Sequence, residues 1–397
     1  MKTLKTVRDP IHGNISVSQL ETELMDTARM QRLRNVKQNG FCFLVYPAMN
    51  STRFEHSLGT MHLAGLMASH LELPADESQA LRAASLLHDI GHGPFSHTSD
   101  AILTSHGMPH EENSAQIIRD TGVGDVLGDH GLDPSLIADI VLGKGGLGKL
   151  VSSEIDLDKM DYLVRDSYYA GVAYGVIDVE RVLYSIKLVK DEVVLDPRGL
   201  EAVEALLISR NLMYQTVYRH HTKRIAEAMF GHALSCLLED GVTPAELSGM
   251  DDYSLISIMR ARDGYAGKIM ECIDERRLFK KVFQERISIM TEPFRRELEE
   301  NIGSIEGAIS RDHGIDSGYA LCDYPETRMN EFRVKVGMDG GLRRIDEVST
   351  LAAGLRESEE EKLTFNIYVG PDWLDKIADF RPNKYIEYAQ TRLGRFT

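Results

Sequence analysis

The chain has 397 residues, enough at roughly 100–200 residues per domain for two or three domains with a substantial core. Hydrophobic residues make up 43% and charged residues 27%, close to globular averages, which excludes wholesale disorder, collagen-like repeats and low-complexity architecture. With 45 Lys and Arg against 61 Asp and Glu, a net charge of −16, neither strong nucleic-acid binding nor attachment to anionic lipid is expected, although a small anion can still sit in a local basic pocket.

No apolar run approaches the roughly 18 residues of a membrane helix, and the first residues run into Asp9-Pro10 without a hydrophobic signal segment, so a cytoplasmic protein is expected. Cys42, Cys236, Cys272 and Cys322 form no Cys-x-x-Cys pair and read as buried reduced thiols. Residues 6–17, with a turn signal at Asp9-Pro10, predict a short strand or hairpin, and residues 20–34 a helix. Over 57–73 the apolar residues recur mostly at three- and four-residue steps, which predicts a helix with one buried stripe. A second helix is predicted over 76–90, with Asp76 as N-cap and Gly91 as its stop, which places His88 and Asp89 in the last turn. Further helices are predicted over 111–120, 134–142, 156–169 and, longest, 200–238.

Beyond Asp240 the texture changes to a charged helical stretch over 279–300, then short alternating runs over 332–336 and 363–369 with a Gly-Met-Asp-Gly-Gly turn between them. These predict a small antiparallel sheet. The expected fold is mainly α, a helical bundle over 1–240 joined to a smaller α+β region over 241–397 that serves oligomerisation and support.

Histidine is the unusual residue type: of 14, His56, His62, His70, His88, His92, His97, His106 and His110 fall in one N-terminal stretch. Adjacent side chains on a helix diverge by about 100°, so His88 and Asp89 reach one ion only at a helix end or with the ion between elements, and Gly91 and Gly93 supply such an end. Imidazole with carboxylate oxygen suits Mg, Mn, Fe, Ni, Co or Zn rather than a thiophilic ion. His56 lies 32 residues before His88, and Asp158 lies 69 residues after Asp89, so separate helices must converge on such a site.

The order His56, His88-Asp89, Asp158 resembles the metal-binding pattern of the HD-domain metal-dependent phosphohydrolases. Asp9-Pro-Ile-His-Gly13, Arg53-Phe-Glu-His-Ser-Leu-Gly59, His88-Asp-Ile-Gly-His-Gly-Pro-Phe-Ser-His97 and Asp156-Leu-Asp-Lys-Met-Asp-Tyr162 resemble its deoxynucleoside triphosphate triphosphohydrolase branch. The resemblance covers residues 4–225, with a fainter echo over 332–349. It implies that His56, His88, Asp89 and Asp158 bind one catalytic divalent metal, which two neutral imidazoles and two carboxylates nearly neutralise. It implies acid–base roles for His92, His97 and His110. Asp100, three residues after His97, is within reach to fix that imidazole's tautomer.

Among substrate contacts, the resemblance assigns Arg53, Lys159 and Arg210 to phosphate, Tyr162 and Asp166 to the sugar's surroundings, Tyr218 to the deoxyribose face and Gln38 to the base. Asn39, beside Gln38, departs from the apolar residue found in the branch. Lys5, Asp26, Gln31 and Arg34 match positions that bind an activating guanine nucleotide between subunits, and Lys187 offers a cation to a second nucleotide. A GTP or dNTP activator and a homo-oligomer are thereby implied, with Arg8 and His221 departing from an Asn and a Lys of that pattern. His62, His70 and His106 lack matching context. The expected reaction cleaves a dNTP at the α-phosphate, giving deoxynucleoside and inorganic tripolyphosphate. Two other readings stay open: hydrolysis of another nucleotide phosphoester, such as a ribonucleotide, monophosphate or alarmone, and a nucleotide sensor without turnover.

Overall fold

The computed structural model describes residues 3–325 and 330–388. Strands β1 (Lys5–Asp9) and β2 (Gly13–Val17) form the expected hairpin, its turn closing where Gly13 takes a φ of +72°. Ser18 and Glu21 then cap one another across the start of α1 (Gln19–Met25). The helix expected over 20–34 is broken here, because the Thr27 side chain caps a new helix, α2 (Ala28–Arg32), which tightens into a 3₁₀ turn at Leu33–Asn35.

A Thr52–Glu55 capping box starts α3 (Arg53–His70), four residues ahead of the predicted beginning. Helix α4 (Ala75–Leu87) follows, capped at Pro74 rather than Asp76, and the chain leaves it at His88. Helices α5 (His97–Ser105), α6 (His110–Asp120), α7 (Gly122–Asp129), α8 (Pro134–Val141) and α9 (Gly145–Val151) lead to α10 (Leu157–Ala170), which Asp156 caps and Gly171 ends in a left-handed conformation. In place of the one buried stripe predicted, α3 is covered on most of its faces, with residues 56–61 all buried; Leu58, Met61, Leu63, Ala64 and Met67 join one core with Leu86 and Leu87 of α4 and Met160 and Leu163 of α10. That packing brings α3, the end of α4 and the start of α10 to one place.

After α11 (Val179–Tyr184) and the β3 (Ile186–Val189)–β4 (Glu192–Leu195) hairpin, the single helix predicted over 200–238 is two. Helix α12 (Leu200–Met213) widens into a π turn at Tyr214–Tyr218, and α13 (His221–Glu239) restarts after His220, whose ring accepts the Thr222 N–H. Side chains at the break are held elsewhere: Tyr218 donates to Asp166 at 2.7 Å and Arg219 to Glu359 at 3.2 Å. Short helices α14 (Pro244–Gly249), α15 (Asp252–Arg260) and α16 (Tyr265–Asp274) pack against α13 and α5.

The charged stretch expected as helix over 279–300 begins instead as strand β5 (Lys280–Arg286), and α17 (Glu292–His313) starts only where Thr291 caps it and Pro293 sits in its first turn. Pairing with a buried strand overrides the helical charge pattern. The remaining elements are β6 (Ala320–Asp323), β7 (Lys335–Met338), β8 (Gly341–Arg344), α18 (Ile345–Val348), α19 (Thr350–Glu361) and β9 (Thr364–Val369). They build two small sheets where one antiparallel sheet was predicted: β3-β4-β7-β8, in which β4 and β7 run parallel, and antiparallel β5-β9-β6, so the runs over 332–336 and 363–369 do not pair with each other. The fold is therefore mainly helical with small sheets toward its C-terminal part. Cys42 and Cys322 are buried, while Cys236 and Cys272 are half-exposed, a departure from the expectation, and all four are free. Among the described residues no helix is long and apolar enough to cross a membrane.

Gly91 sets the approach of α6 to the loop after α4. A Cβ there would lie 2.3 Å from Ser114 N and 2.4 Å from His110 O, both backbone atoms that cannot yield cheaply. Gly91→Ala is expected to cost about 1–3 kcal/mol of stability by overpacking, read as a lower chemical-denaturation midpoint, whereas an unchanged midpoint would contradict this packing.

Candidate active site

His56 stands one turn into α3, fully buried, and donates from Nδ1 to Asp161 Oδ2 at 2.8 Å. His88, just past α4, donates from Nδ1 to the Ser85 carbonyl at 2.8 Å. Both rings therefore turn bare Nε2 lone pairs inward. The two Nε2 atoms are 3.3 Å apart, and Asp158 Oδ1, at the second position of α10, lies 2.8 Å from one and 3.8 Å from the other. Asp89 completes the group, 3.6 Å from His56 and 3.4 Å from His88.

Acceptor atoms so close repel one another unless a cation sits among them. A proton fills that role when no ion is bound: burial pushes the His56 imidazole down, but Asp158 and Asp161 outweigh it and hold it up to about 10. His88 is likewise raised against burial by Asp89 and Asp158, and Asp158 is driven well below the carboxylate range, against burial, by both histidines. His56, His88 and Asp158 converge on one point, while Asp89 meets the two histidines through different oxygens and also groups with His92 and His110. Two imidazoles with two carboxylates make a donor set that suits a divalent metal, with His56, His88 and Asp158 and, from the side, Asp89 as the residues that would hold it.

Arg53 frames one side. Its Nη1 donates to Asp89 Oδ2 at 2.6 Å and its Nε to Ser96 Oγ at 2.9 Å, while Nη2 lies 3.5 Å from His97 Nε2. Ser96 in turn donates to the Lys37 carbonyl at 2.7 Å. Phe95 and Ser96 both take positive φ, +55° and +47°, a strained geometry held by the packing of Phe95 between Phe41 and Phe230. Burial, then the Arg53 charge, press His97 down to about 3, so it is neutral near pH 7.

His92 is buried with Nε2 3.3 Å from Asp89 Oδ1, its ring stacked on His110 at 3.9 Å between centroids. The partner expected for Asp100 is not the one found. His97 opens α5 and faces Arg53, so Asp100 turns to His110, accepting from its Nδ1 at 2.9 Å and its backbone N–H at 3.1 Å. Burial works against both charges, yet the pair holds His110 up and Asp100 down to about 2.

Other predicted contacts divide. Tyr218 donates to Asp166 and stands edge-on to Tyr162 at 6.3 Å, and burial lifts the Asp166 carboxyl to about 6 despite that hydrogen bond. Gln38 is buried with no partner for Oε1 among the described residues, as is His92 Nδ1. Lys159 folds back on Asp156 and the Ser153 carbonyl. Arg210 lies over the Tyr214 ring and donates to buried Glu359 of α19 at 2.9 Å. Gln31 accepts from Arg34, whose guanidinium covers Phe54, and donates to the Met25 carbonyl beside Asp26. Lys5 lies exposed on β1, and Lys187 pairs with Asp196 at 2.6 Å. Of the histidines set aside, His62 packs on His12, His70 reaches the Ile186 carbonyl and His106 bonds within its own helix end.

Asp161, His12, Ser96 and Glu359 were not singled out in the sequence. Asp161 carried a signal in its motif, but Glu359 lies in an acidic run that reads as a solvated helix face.

Such a site on such a fold defines an HD-type phosphohydrolase. Residues 53–166 match the HD domain and residues 177–391 the HD associated region, and the chain belongs to that family. It is 36% identical over 390 residues to the uncharacterized protein MJ1154 of Methanocaldococcus jannaschii, covering 96% of this chain and 82% of that one. It is 30% identical to the deoxynucleoside triphosphate triphosphohydrolase SAMHD1 homolog of Dictyostelium discoideum, over 74% of this chain and 62% of the relative, so it spans less than two thirds of that protein. The human triphosphohydrolase SAMHD1 is 31% identical over 58% of this chain and 44% of its own. Among solved structures, a phosphohydrolase of Bacteroides thetaiotaomicron superposes with a TM-score of 0.73 at 25% identity, covering 92% of this chain and 99% of that one.

The Asp100–His110 pair gives a pH-dependent stability. Its histidine is raised, so the contribution is complete below the ordinary imidazole value near 6.5 and is lost as pH rises through the raised value, while Asp100 at about 2 stays ionised throughout. In EDTA, the melting temperature of wild type should exceed that of Asp100→Asn most at pH 6 and least at pH 9. A gap that widens with pH would contradict the pairing.

Proposed function

We propose that this chain hydrolyses a deoxynucleoside triphosphate at the α-phosphate to deoxynucleoside and inorganic tripolyphosphate. The observation that carries the reading is the meeting, in one half-buried site, of His56, His88, Asp89 and Asp158 with Arg53 and the Asp100–His110 pair. Bound by His56, His88, Asp89 and Asp158, a divalent ion supplies Lewis-acid charge to a phosphoryl oxygen and acidifies water. Arg53, anchored by Asp89 and Ser96, offers its remaining edge to the phosphate. Water adds to the α-phosphorus, its oxygen forming the new P–O bond of tripolyphosphate and one of its protons passing to solvent, while His110, whose imidazole Asp100 holds above its ordinary value, gives a proton to the leaving 5′-oxygen as that bond breaks. Neutral His97 and His92 offer hydrogen bonds without adding charge. Tyr162, Tyr218 and Asp166 wall the sugar, and similarity to triphosphohydrolases from Dictyostelium and human supports the substrate class.

One observation favours a second reading, a phosphoester with fewer phosphates: Arg210 and Arg219 both spend charge on Glu359. Activation by GTP or a dNTP in a homo-oligomer belongs to the leading proposal. Supporting it, a cavity of about 250 Å³ gathers Arg219, His221, Arg224, Lys281 and Lys362 in an otherwise acidic chain, at the position where His221 departs from the family's Lys.

Ion-exchange separation of products, with Mn²⁺ and each dNTP alone and then with all four plus GTP, is expected to give tripolyphosphate and deoxynucleoside. Pyrophosphate or orthophosphate would refute the leading reaction, and turnover of dGMP over dGTP would favour the second. His110→Gln is expected to lower kcat about 10²–10⁴-fold and to flatten the decline of kcat above the raised histidine value; a fall seen only in His97→Gln would reassign the acid. Asp89→Ala is expected to abolish turnover with its helical circular dichroism intact.

A further inference from the structure

The Asp9-Pro-Ile-His-Gly13 motif takes no part in the chemistry above, yet its side chains end against the donor cluster. Asp9 Oδ1 accepts the N–H groups of Ile11 and His12, at 2.9 and 2.8 Å, and so fixes the β1–β2 turn. From that turn His12 Nε2 donates to Asp161 Oδ1 at 2.7 Å, and Asp9 Oδ2 accepts from Arg165 Nη1 at 2.8 Å. Arg165, one turn beyond Asp161 on α10, closes the ring by donating Nε and Nη2 to the Asp161 carboxylate at 2.8 and 2.9 Å. The last acceptor position of Asp161 takes the Nδ1–H of His56.

The assembly is buried, and space for it is reserved by Gly59 of α3, where a Cβ would fall 1.8 Å from Asp161 Oδ1 and 2.4 Å from Arg165 Nη2. A buried ionic group of this kind is poor evidence for stability, since apolar residues of the same volume serve as well. What apolar residues cannot do is specify which ring nitrogen of His56 carries the proton. We propose that Asp161 is a positioning residue: clamped by Arg165 and by His12 of the N-terminal hairpin, it fixes the His56 tautomer and so sets the affinity of the cluster for its divalent ion. This rests on the reading of His56, His88, Asp89 and Asp158 as the residues that hold the ion.

Asp161→Asn has nearly the same shape but the opposite instruction. Arg165 donates to both oxygens of Asp161, so no orientation of an amide accepts all four hydrogen bonds: with the amide oxygen kept by His12 and Arg165 Nη2, the NH₂ faces His56 Nδ1 and moves that ring's proton to Nε2, the atom needed for the metal, and in either orientation the charge that holds the proton on Nδ1 is lost. The test is calorimetric titration of Mn²⁺ alone into EDTA-stripped, full-length protein, with melting temperatures measured in parallel. Kd is expected to weaken 10–100-fold in Asp161→Asn, titrated well below its melting temperature, which falls because Arg165 loses a charge partner, and to stay unchanged in His106→Gln. If Asp161→Asn does not fold, His12→Gln, at the edge of the ring, decides and is expected to weaken Kd several-fold. Equal Kd values in the folded variants and wild type overturn the inference, as does a fall in melting temperature with Kd preserved. Because no nucleotide is present, absence of dNTP hydrolysis leaves this result standing, whereas absence of Mn²⁺ binding by wild type overturns both the inference and the metal reading.

Discussion

Lone pairs facing one another across a narrow gap are the constraint on which the rest of the site depends. His56, His88, Asp89 and Asp158 come from α3, the end of α4 and α10, and packing alone would never bring two bare imidazole nitrogens within 4 Å of one another and of both carboxylates. Each is forced there by a specific local feature. His88 is oriented by the Ser85 carbonyl, Asp89 by Arg53, and Asp158 by the Asp156 cap that starts α10 one residue earlier. The arrangement is satisfied by a cation at its centre and costs desolvation without one.

Around that centre the chain spends its cations sparingly. Arg53 is tied at two of its nitrogens and approaches His97 with the third, Arg165 is fully engaged with Asp9 and Asp161, and Arg210 shares Glu359 with Arg219. In a chain of net charge −16, Arg53 on Asp89 sets a positive charge at the edge of the donor cluster. The strained Phe95–Ser96 corner serves the same end, since Ser96 ties Arg53 to the Lys37 carbonyl next to Gln38.

Much of this was legible in the sequence because apolar residues recur at helical steps in α3 and α4, Asp156 marks the start of α10 and the His-Asp dipeptide stands at a glycine-marked helix end. The four cluster residues came together as the spacing required. What was not legible depends on tertiary partners. The apolar period runs unbroken through 200–238, but Tyr218 and Arg219 are held by Asp166 and Glu359, so the helix opens at that point. The charged residues of β5 read as a helix surface until β9 supplies a strand to pair with. Asp100 lies at helical spacing from His97, yet His97 opens its helix facing Arg53, and the carboxylate finds His110 instead. Asp161 sat in view within its motif, but only the fold shows that its partners are a histidine on α3 and a turn near the N-terminus.

The most direct test of the central claim is a crystal structure of Mn²⁺-soaked protein with anomalous diffraction recorded at the manganese edge. The account predicts a peak bounded by His56 Nε2, His88 Nε2 and the carboxylates of Asp89 and Asp158, with Asp161 still on His56 Nδ1. A peak elsewhere, or none at a Mn²⁺ concentration that supports turnover, would contradict it.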